Sequence, residues 1–360
     1  MGEFARQAGD AAPEAAVRAF AMLLPAPLAA LSGGPAYARA LVGRLRGDGH
    51  AVSVVELAGR HPLPDDAARA AAAAAWRGCA ADMQPIIDGM GLPAFEPLAD
   101  SLRSRGAAAL VHHPTALEAG ADATVREALR AIERRMLPTL RRVIVTSDDT
   151  AARLAAEFGV PPERIRVVTP GTDPAPRSEG PRQPGCAVLS VGTLLPRKGH
   201  DVLLRALARL PDLDWMLTVA GDAPDARYAQ TLQALAADLG IAARVRFAGG
   251  LQGAALEAEW QRAGLFALAT HHEGYGMAIA EALRRGLPVA VTSGGAAAAL
   301  VPAAAGVVAA PGDVVALSNG MRRVVFDAAL RQRMAQAAWL AGGRLPDWAE
   351  QARRFVAALE

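Results

Sequence analysis

Two glutamates in a glycine-bearing loop carry the sharpest chemical signal in this sequence. They are Glu273 and Glu281 of HHEGYGMAIAEAL, His271 to Leu283, spaced as E-x7-E. Gly274 and Gly276 flank Tyr275, and a helix is predicted to open near Met277. Glycines at a helix entrance let backbone N–H groups approach an anion, and the helix dipole favours negative charge there. Glu281, one turn into that helix, can accept two hydrogen bonds from a ribose diol. Glu273, in the loop, can accept bonds from sugar hydroxyls. A second segment, VGTLLPRKGHDVLLRAL (Val191 to Leu207), places Arg197 and Lys198 in a turn just before Gly199. A guanidinium fork beside a compact ammonium suits a diphosphate; an ordinary basic turn is the plain alternative. Gly33–Gly34 follow the first predicted strand and by themselves read as a turn. His112–His113 end another predicted strand and by themselves read as polar loop residues. His271–His272–Glu273 lacks the H-E-x-x-H spacing of a zinc site, and adjacent histidines point apart, so no metal site is expected.

The elements that must position these residues repeat as strand, loop, helix. Apolar or β-branched runs at Ala19 to Leu24, His50 to Leu57, Pro85 to Asp88, Ala107 to Val111, Arg141 to Ser147 and Ile165 to Thr169 read as strands. Helices are predicted over Ala36 to Gly47 and Thr150 to Phe158. Residues 174–185 are rich in Pro, Gly and charge, a linker composition. The pattern then restarts, with strands at Cys186 to Val191, Asp214 to Ala220, Val245 to Ala248, Leu265 to Ala269 and Pro288 to Thr292. Helices alternate with them over Asp201 to Leu210, Tyr228 to Leu239, Leu256 to Ala263 and Met277 to Arg285. Such alternation implies α/β architecture with parallel sheets covered on both faces, doubly wound, with ligands beyond the carboxyl ends of the strands.

The chain's 360 residues suggest two domains, and the net charge of +2 with no long basic block argues against nucleic acid. The pairs Arg134–Arg135, Arg141–Arg142 and Arg284–Arg285 read as solvated helix faces, with membrane-surface association near Arg134 to Arg142 as the alternative. Cys79 and Cys186 fall in different predicted domains and in no metal-type spacing, which fits a reduced, cytoplasmic setting. The apolar run Ala19 to Leu31 is broken by Pro25 and Pro27 and is too short to span a bilayer. The tryptophans Trp76, Trp215, Trp260, Trp339 and Trp348 read as packing residues.

Taken in order, VGTLLPRKGHDVLLRAL, EGYGMAIAEAL and GLPVAVTSGG resemble the family-four retaining glycosyltransferases, most specifically over residues 186–320. The resemblance implies a GT-B fold: two Rossmann-like domains facing across a cleft. It places an acceptor-binding domain at 1–178, a nucleotide-sugar donor domain at 179–344, and a helix at 345–360 crossing back to the first domain. It implies that Glu273 contacts the donor sugar, Glu281 the ribose, and Lys198 with Arg197 the leaving diphosphate. Backbone at Gly274, Tyr275, Gly276 and Met277 would hold sugar and phosphate. Gly33 and Gly34 would admit the donor phosphates and the acceptor, Gly192 and Thr193 would border the donor, and the base would lie near Phe247 to Gly249. His112 or His113 would face the donor sugar, with His112 preferred.

Three positions depart from that family's pattern. Thr193 stands where many relatives carry Arg, Ala296 to Ala299 replace a more polar stretch, and the acceptor loop around Pro35 to Ala38 is bland; the Ser293–Gly294–Gly295 turn is kept. The resemblance implies a UDP- or GDP-sugar donor, a sugar, lipid or small-molecule acceptor, retention of configuration, and no metal or other cofactor, since no DxD-type carboxylate pair appears where a Mg²⁺ site would be needed. The competing expectations are a degenerate GT-B binder without transfer activity, a GT-B epimerase or sugar phosphorylase, and a nicotinamide-dependent dehydrogenase. The last would need a G-x-G-x-x-G turn that the chain lacks.

Overall fold

The computed structural model describes residues 17–117, 122–181 and 185–360. The first sixteen residues and part of the predicted linker lie outside the described residues. The N-terminal half runs β1 (Ala19–Pro25), α1 (Gly33–Gly47), β2 (Ala51–Leu57), α2 (Asp66–Gly78), β3 (Gln84–Asp88), α3 (Ala99–Ser104), β4 (Ala108–Val111), α4 (Ala123–Met136), β5 (Arg142–Val145), α5 (Asp148–Phe158) and β6 (Ile165–Val167). The C-terminal half runs β7 (Cys186–Val191), α6 (His200–Ala208), β8 (Trp215–Ala220), α7 (Ala226–Asp238), β9 (Val245–Gly249), α8 (Gly253–Arg262), β10 (Leu265–Leu268), α9 (Met277–Arg284), β11 (Val289–Thr292), β12 (Gly306–Ala309), α10 (Val314–Phe326) and α11 (Ala328–Gly342). A last helix, α12 (Trp348–Ala358), follows.

Each half is built on one six-stranded sheet, ordered β2-β1-β3-β4-β5-β6 and β12-β11-β10-β7-β8-β9, with every pairing between named strands parallel. Parallel strands buried on both faces need apolar side chains in both directions, and β4, β10 and β11 are buried at every position. Strand order reverses beside β1 in one sheet and beside β7 in the other. The loops after β1, β3, β4, β7 and β10 therefore open at the carboxyl ends where ligands of such sheets bind.

Helices the sequence reading did not anticipate fill the remaining faces. The alanine-rich α2 and the arginine-rich α4 start at Asp65 and Asp122, whose carboxylates accept from the amides of Ala68 and Thr124. The linker is pinned where it is described: the Ser178 amide donates to the Arg285 carbonyl, and the Ser178 hydroxyl lies 2.9 Å from the Ala263 carbonyl. Arg284 and Arg285 are not a solvated pair. Arg284 donates to the carbonyls of Thr172 and Leu345, and Arg285 bridges to Glu257 at 2.6 Å while lying over the Trp260 ring. The carbonyls at the crossing point recruit Arg284, and the Glu257 carboxylate of α8 recruits Arg285.

The chain returns to the N-terminal half at its end. Trp348, Phe355 and Val356 of α12 are buried with Tyr37 and Leu41 of α1 and Phe20 and Met22 of β1 in one cluster. Truncating a fully buried Phe355 should cost about 3–5 kcal/mol, transfer and cavity together. The crossing point is tight: a Cβ on Gly171 would sit 2.5 Å from the Trp348 backbone, and the Thr172 amide donates to the Pro346 carbonyl.

Candidate functional site

The two sequence signals of the C-terminal half are stitched into one structure. The turn Pro196–Lys198 follows β7, and Gly199 then adopts a left-handed conformation. A Cβ at Gly199 would stand 1.9 Å from the Ala269 carbonyl oxygen, so only glycine lets this turn lie against the end of β10. The loop after β10 binds back. The His271 amide donates to the Arg197 carbonyl at 2.7 Å, the Thr270 hydroxyl lies 3.1 Å from the same oxygen, and the Arg197 guanidinium donates to the His272 carbonyl at 2.8 Å. Thr270 and His272 carry no sequence signal of their own; their roles appear only once the two loops are seen to share carbonyls.

This stitching delivers three charges to one point. Lys198 Nζ donates to Glu273 Oε1 at 2.6 Å, and Arg197 lies 3.7 Å from the same oxygen. The side chains are 16%, 14% and 8% exposed for Lys198, Arg197 and Glu273, so the cluster is largely removed from water. Burial opposes the charged form of Glu273, but Lys198, Arg197 and a Thr270 hydrogen bond together outweigh it and hold the carboxyl below its ordinary range. The Glu273 backbone is fixed as well: its amide donates to the Gly294 carbonyl and its carbonyl accepts from Ala296. The Ser293–Gly294–Gly295 turn thus buttresses the Glu273 loop, and the Ser293 amide is taken by the Ala309 carbonyl. Ala296 and Ala297 are buried, so small apolar residues suit that stretch.

Glu281 is half-buried in the first turns of α9, and its carboxylate makes no hydrogen bond to a described residue. Burial pushes its pKa up to about 7; Arg285 opposes that rise, and Asp173 and Glu257 add to it. Tyr275 is buried and its phenol is pushed up to about 12 by desolvation. Met277 packs its side chain against the N-terminal half's core, leaving only its backbone for a ligand. Gly192 lies beside the Lys198 stem, and a Cβ there would stand 3.5 Å from it. Thr193 is half-buried in the same turn, its carbonyl accepting from Leu195. Phe247 is half-buried against the C-terminal core, whereas Gly249 is exposed at the end of β9.

The N-terminal half meets this cluster at His112. Its carbonyl accepts from the Thr146 hydroxyl, which also lies 3.4 Å from the Gly274 carbonyl. A Cβ on Gly274 would stand 2.0 Å from the His112 oxygen, so the halves touch at backbone distance. The His112 ring packs edge-to-face on Tyr37, lies over Gly34, and holds Nε2 3.6 Å from Asp88 Oδ2. That Nε2 is buried and has no hydrogen-bond partner among the described residues. Asp88, 7% exposed at the end of β3, was not singled out by sequence; its place at a strand's carboxyl end was the available signal. His113 turns the other way, its ring 5.8 Å from that of His272 across the cleft. Glu133 of α4 clasps the following loop, accepting from the Thr115 amide at 2.7 Å and the Thr115 hydroxyl at 2.8 Å.

The structure thus gathers Arg197, Lys198 and Glu273 into one contact and brings His112 against Gly274 and Gly34. Phe247 and Gly249 stand apart, on the edge strand β9 of the second sheet. Of two open surface cavities, one of about 620 Å³ against α6 and α7 reaches Pro196 and His271 on the outer side of the stitched loops, and one of about 740 Å³ at the amino end of β1 and β3 lies away from this contact. Both are lined mainly by the outer surface of a single half, whereas the charged cluster lies where the halves close on each other.

Comparison with known proteins places this geometry. Residues 174–339 match the model for glycosyl transferases group 1, and residues 98–176 match that for Glycosyltransferase Family 4. D-inositol 3-phosphate glycosyltransferase from Mycobacterium avium is 33% identical over 212 residues, covering 54% of this chain and 50% of that protein. The Mycobacterium tuberculosis protein of the same name is 32% identical over 212 residues, 54% of this chain and 44% of that one. The chain therefore spans about half the length of these curated relatives. In structure, sucrose-phosphate synthase from Thermosynechococcus elongatus superposes with a TM-score of 0.79 at 18% identity, over 94% of this chain and 98% of that one. Anabaena HepE, solved with UDP and glucose, superposes with a TM-score of 0.72 at 18% identity, again over 94% and 98%. With two six-stranded parallel sheets facing across a closed contact and both family models matched in order, the chain belongs to the family-four, group 1 glycosyltransferases of GT-B fold.

Proposed function

We propose that this protein is a retaining glycosyltransferase that moves a sugar from a UDP- or GDP-sugar to a hydroxyl acceptor without a metal ion. The observation that carries the proposal is the buried Arg197–Lys198–Glu273 cluster at the carboxyl ends of β7 and β10, facing His112 across the cleft. In this reading Lys198 and Arg197 bind the diphosphate and stabilise the charge that builds on it as the anomeric C–O bond breaks. The amides at the start of α9 add the positive end of a helix dipole. Together they supply the positive charge a divalent cation would bring. Glu273 takes the sugar hydroxyls. Glu281, half-buried and with no hydrogen bond to a described residue, takes the ribose diol. The His112 ring, packed on Tyr37 with Nε2 3.6 Å from Asp88 Oδ2, faces the sugar.

In the transfer step the acceptor oxygen forms its bond to the anomeric carbon on the face from which the diphosphate departs. The acceptor's proton passes to the departing phosphate oxygen, so no protein nucleophile is needed. UDP in the Anabaena neighbours supports testing uridine donors first. The acceptor is a sugar, a lipid or another small molecule, met by the loops of the N-terminal half. Among the described residues no helix is long and apolar enough to cross a membrane, and Cys79 and Cys186 are free thiols in separate halves, both compatible with the cytoplasmic site of action proposed here.

The test is thermal stability with UDP, GDP and their sugars, with EDTA or Mg²⁺, in wild type and Glu281→Ala. A diphosphate at 100 times its Kd should stabilise by about 2.7 kcal/mol. The reading requires a shift that survives EDTA and is lost in the variant, followed by transfer with retained anomeric configuration. A shift with no hydrolysis or transfer to any acceptor class would instead mark a binder that has lost catalysis.

A further inference from the structure

Of the chain's 38 lysines and arginines, only one is a lysine, and it is Lys198. A sequence that otherwise chooses arginine has kept lysine at the cation that donates a 2.6 Å hydrogen bond to Glu273, nearer than Arg197 at 3.7 Å. The two cations of the turn are held differently. Arg197 is tied at both ends, its carbonyl by His271 and Thr270 and its guanidinium by the His272 carbonyl. Lys198 extends past Gly192 on a flexible stem and spends its ammonium on the Glu273 carboxylate. A planar guanidinium locked to a carbonyl cannot re-aim. An ammonium with three rotatable donors can pass from one acceptor to another.

We propose that Glu273 is a specificity determinant that competes with the diphosphate for Lys198 and gives way only when a sugar is present to take its carboxylate. The site thereby separates the nucleotide sugar from the bare nucleoside diphosphate left after transfer. This rests on the donor-site reading above. In the empty site the carboxylate neutralises Lys198. When a nucleotide sugar enters, the diphosphate takes over Lys198, and Glu273 exchanges an ion pair for hydrogen bonds to sugar hydroxyls. When a bare nucleoside diphosphate occupies the site, Glu273 has no sugar to turn to. Arg197, 3.7 Å away and locked to the His272 carbonyl, is then its remaining cation, and the largely buried carboxylate faces the phosphates where like charges repel more strongly than in water. Loss of the sugar thus weakens the hold on the product, and Lys198 returns to Glu273 as the diphosphate leaves.

The experiment is calorimetric titration of inorganic pyrophosphate, at fixed ionic strength with EDTA, into wild type, Glu273→Gln, Glu273→Asp, Lys198→Met and the Glu273→Gln/Lys198→Met pair. Removing the competing charge should tighten pyrophosphate by about tenfold or more in Glu273→Gln, which corresponds to at least about 1.4 kcal/mol. Glu273→Asp, whose shorter arm pulls the carboxylate back from Nζ, should fall between wild type and Glu273→Gln, and it serves if the glutamine variant does not fold. The tightening should be much smaller when Lys198 is absent, because only the direct repulsion is then relieved, and an equal tightening with and without Lys198 would refute the competition for Lys198. Because the chain has one lysine, ¹³C-dimethylated Lys198 gives one side-chain resonance, which should move on adding pyrophosphate. If wild type binds pyrophosphate and both Glu273 variants bind it no more tightly, the competition is refuted while the donor site stands. If no form binds pyrophosphate and the lysine resonance stays put, the donor-site reading fails with it.

Discussion

The entrances to α9 and α1 each carry two glycines, and they do so for opposite reasons. At the entrance to α9, a Cβ on Gly274 would collide with the His112 carbonyl at 2.0 Å, so protein backbone already occupies the space a side chain would need. At the entrance to α1, Gly33 has no atom within 4 Å of where its Cβ would be, and Gly34 meets only the His112 ring at an ordinary 3.6 Å. Neither Gly33 nor Gly34 has a positive φ. The C-terminal entrance is also charged and self-satisfied, with Lys198, Arg197 and Glu273 in mutual contact. The N-terminal entrance is neutral and open. One set of glycines lets the two halves approach, and the other leaves room that the protein itself does not fill.

The largest expected effects lie at the crowded, charged entrance. Lys198→Met removes the mobile cation from the departing diphosphate. It should lower kcat by about 10³-fold, the scale of deleting one preorganised electrostatic contact in a buried site, and the check is steady-state turnover of the donor identified by thermal shift. Gly274→Ala forces its backbone away from His112 and misaligns groups held on different halves. A displacement near 1 Å should cost about 10²-fold in kcat/KM. Small-angle scattering should report a more open molecule, with each half still folded. Compact scattering and full activity in Gly274→Ala would mean that the backbone contact is incidental.

The sequence showed some of this directly and hid the rest. The strands around both clusters were readable because parallel, doubly buried strands are runs of Val, Leu, Ile and Ala, and β7 to β11 were anticipated to within a residue or two. The helices α2, α4, α10 and α11 were not. The alanine run of α2 gives little contrast between faces, whereas α4 does carry a helical period, with Leu129, Ile132 and Met136 buried on one face and Arg126, Arg130 and Arg134 four residues apart, a signal the sequence reading passed over. At the site, Arg197, Lys198, Glu273 and Glu281 stood out because their types and neighbouring glycines carry chemistry locally. Asp88, Thr146 and Glu133 did not, because each matters only through residues far away in the chain: His112, Gly274 and Thr115. The histidine pair is intermediate. Adjacency announces that one ring turns each way, but only the fold shows His112 on Tyr37 and Gly34 and His113 opposite His272.

Stability against pH offers a smaller handle on the charged half. Glu281 has its pKa raised by burial from about 4.5 to about 7, so the native state holds a proton the unfolded chain has released. Its burial penalises the native state above pH 7, and that penalty fades as pH falls toward 4.5. His200, directly after Gly199, has the opposite sign: burial first and Lys198 second lower its pKa from 6.5 to about 4. The unfolded chain then takes up a proton that the native state refuses, so stability is lost as pH falls from 6.5 toward 4. Between pH 6.5 and 4.5 the two contributions oppose each other, and wild type should show a shallow slope. Glu281→Gln removes the compensating group. Urea unfolding should then show the variant losing roughly 2–3 kcal/mol across that window, at 1.36 kcal/mol per unit. Parallel slopes for wild type and variant would place the Glu281 carboxyl in water.

The smallest effects belong to the open entrance. Gly33→Ala and Gly34→Ala replace glycines at the start of α1 with a better helix former, and nothing nearby obstructs the added methyl. Each should be neutral to mildly stabilising, by up to about 1 kcal/mol, because alanine has less backbone freedom to lose on folding. On ligand binding the two should part. The Gly34 methyl would lie over the His112 ring beside its unpartnered Nε2, where the donor sugar is proposed to sit, whereas the Gly33 methyl points into open space. Gly34→Ala should raise the KM for donor or acceptor by about tenfold, about 1.4 kcal/mol of lost binding, with its thermal midpoint unchanged or higher. Gly33→Ala should leave KM within about a factor of two, the range of an ordinary surface change. A Gly34→Ala enzyme that is as stable and as active as wild type would show that the open ground at α1 is only a turn and that substrate is held elsewhere. A KM rise without loss of stability would show that this entrance is kept open for substrate, as the α9 entrance is kept closed by the protein's own backbone.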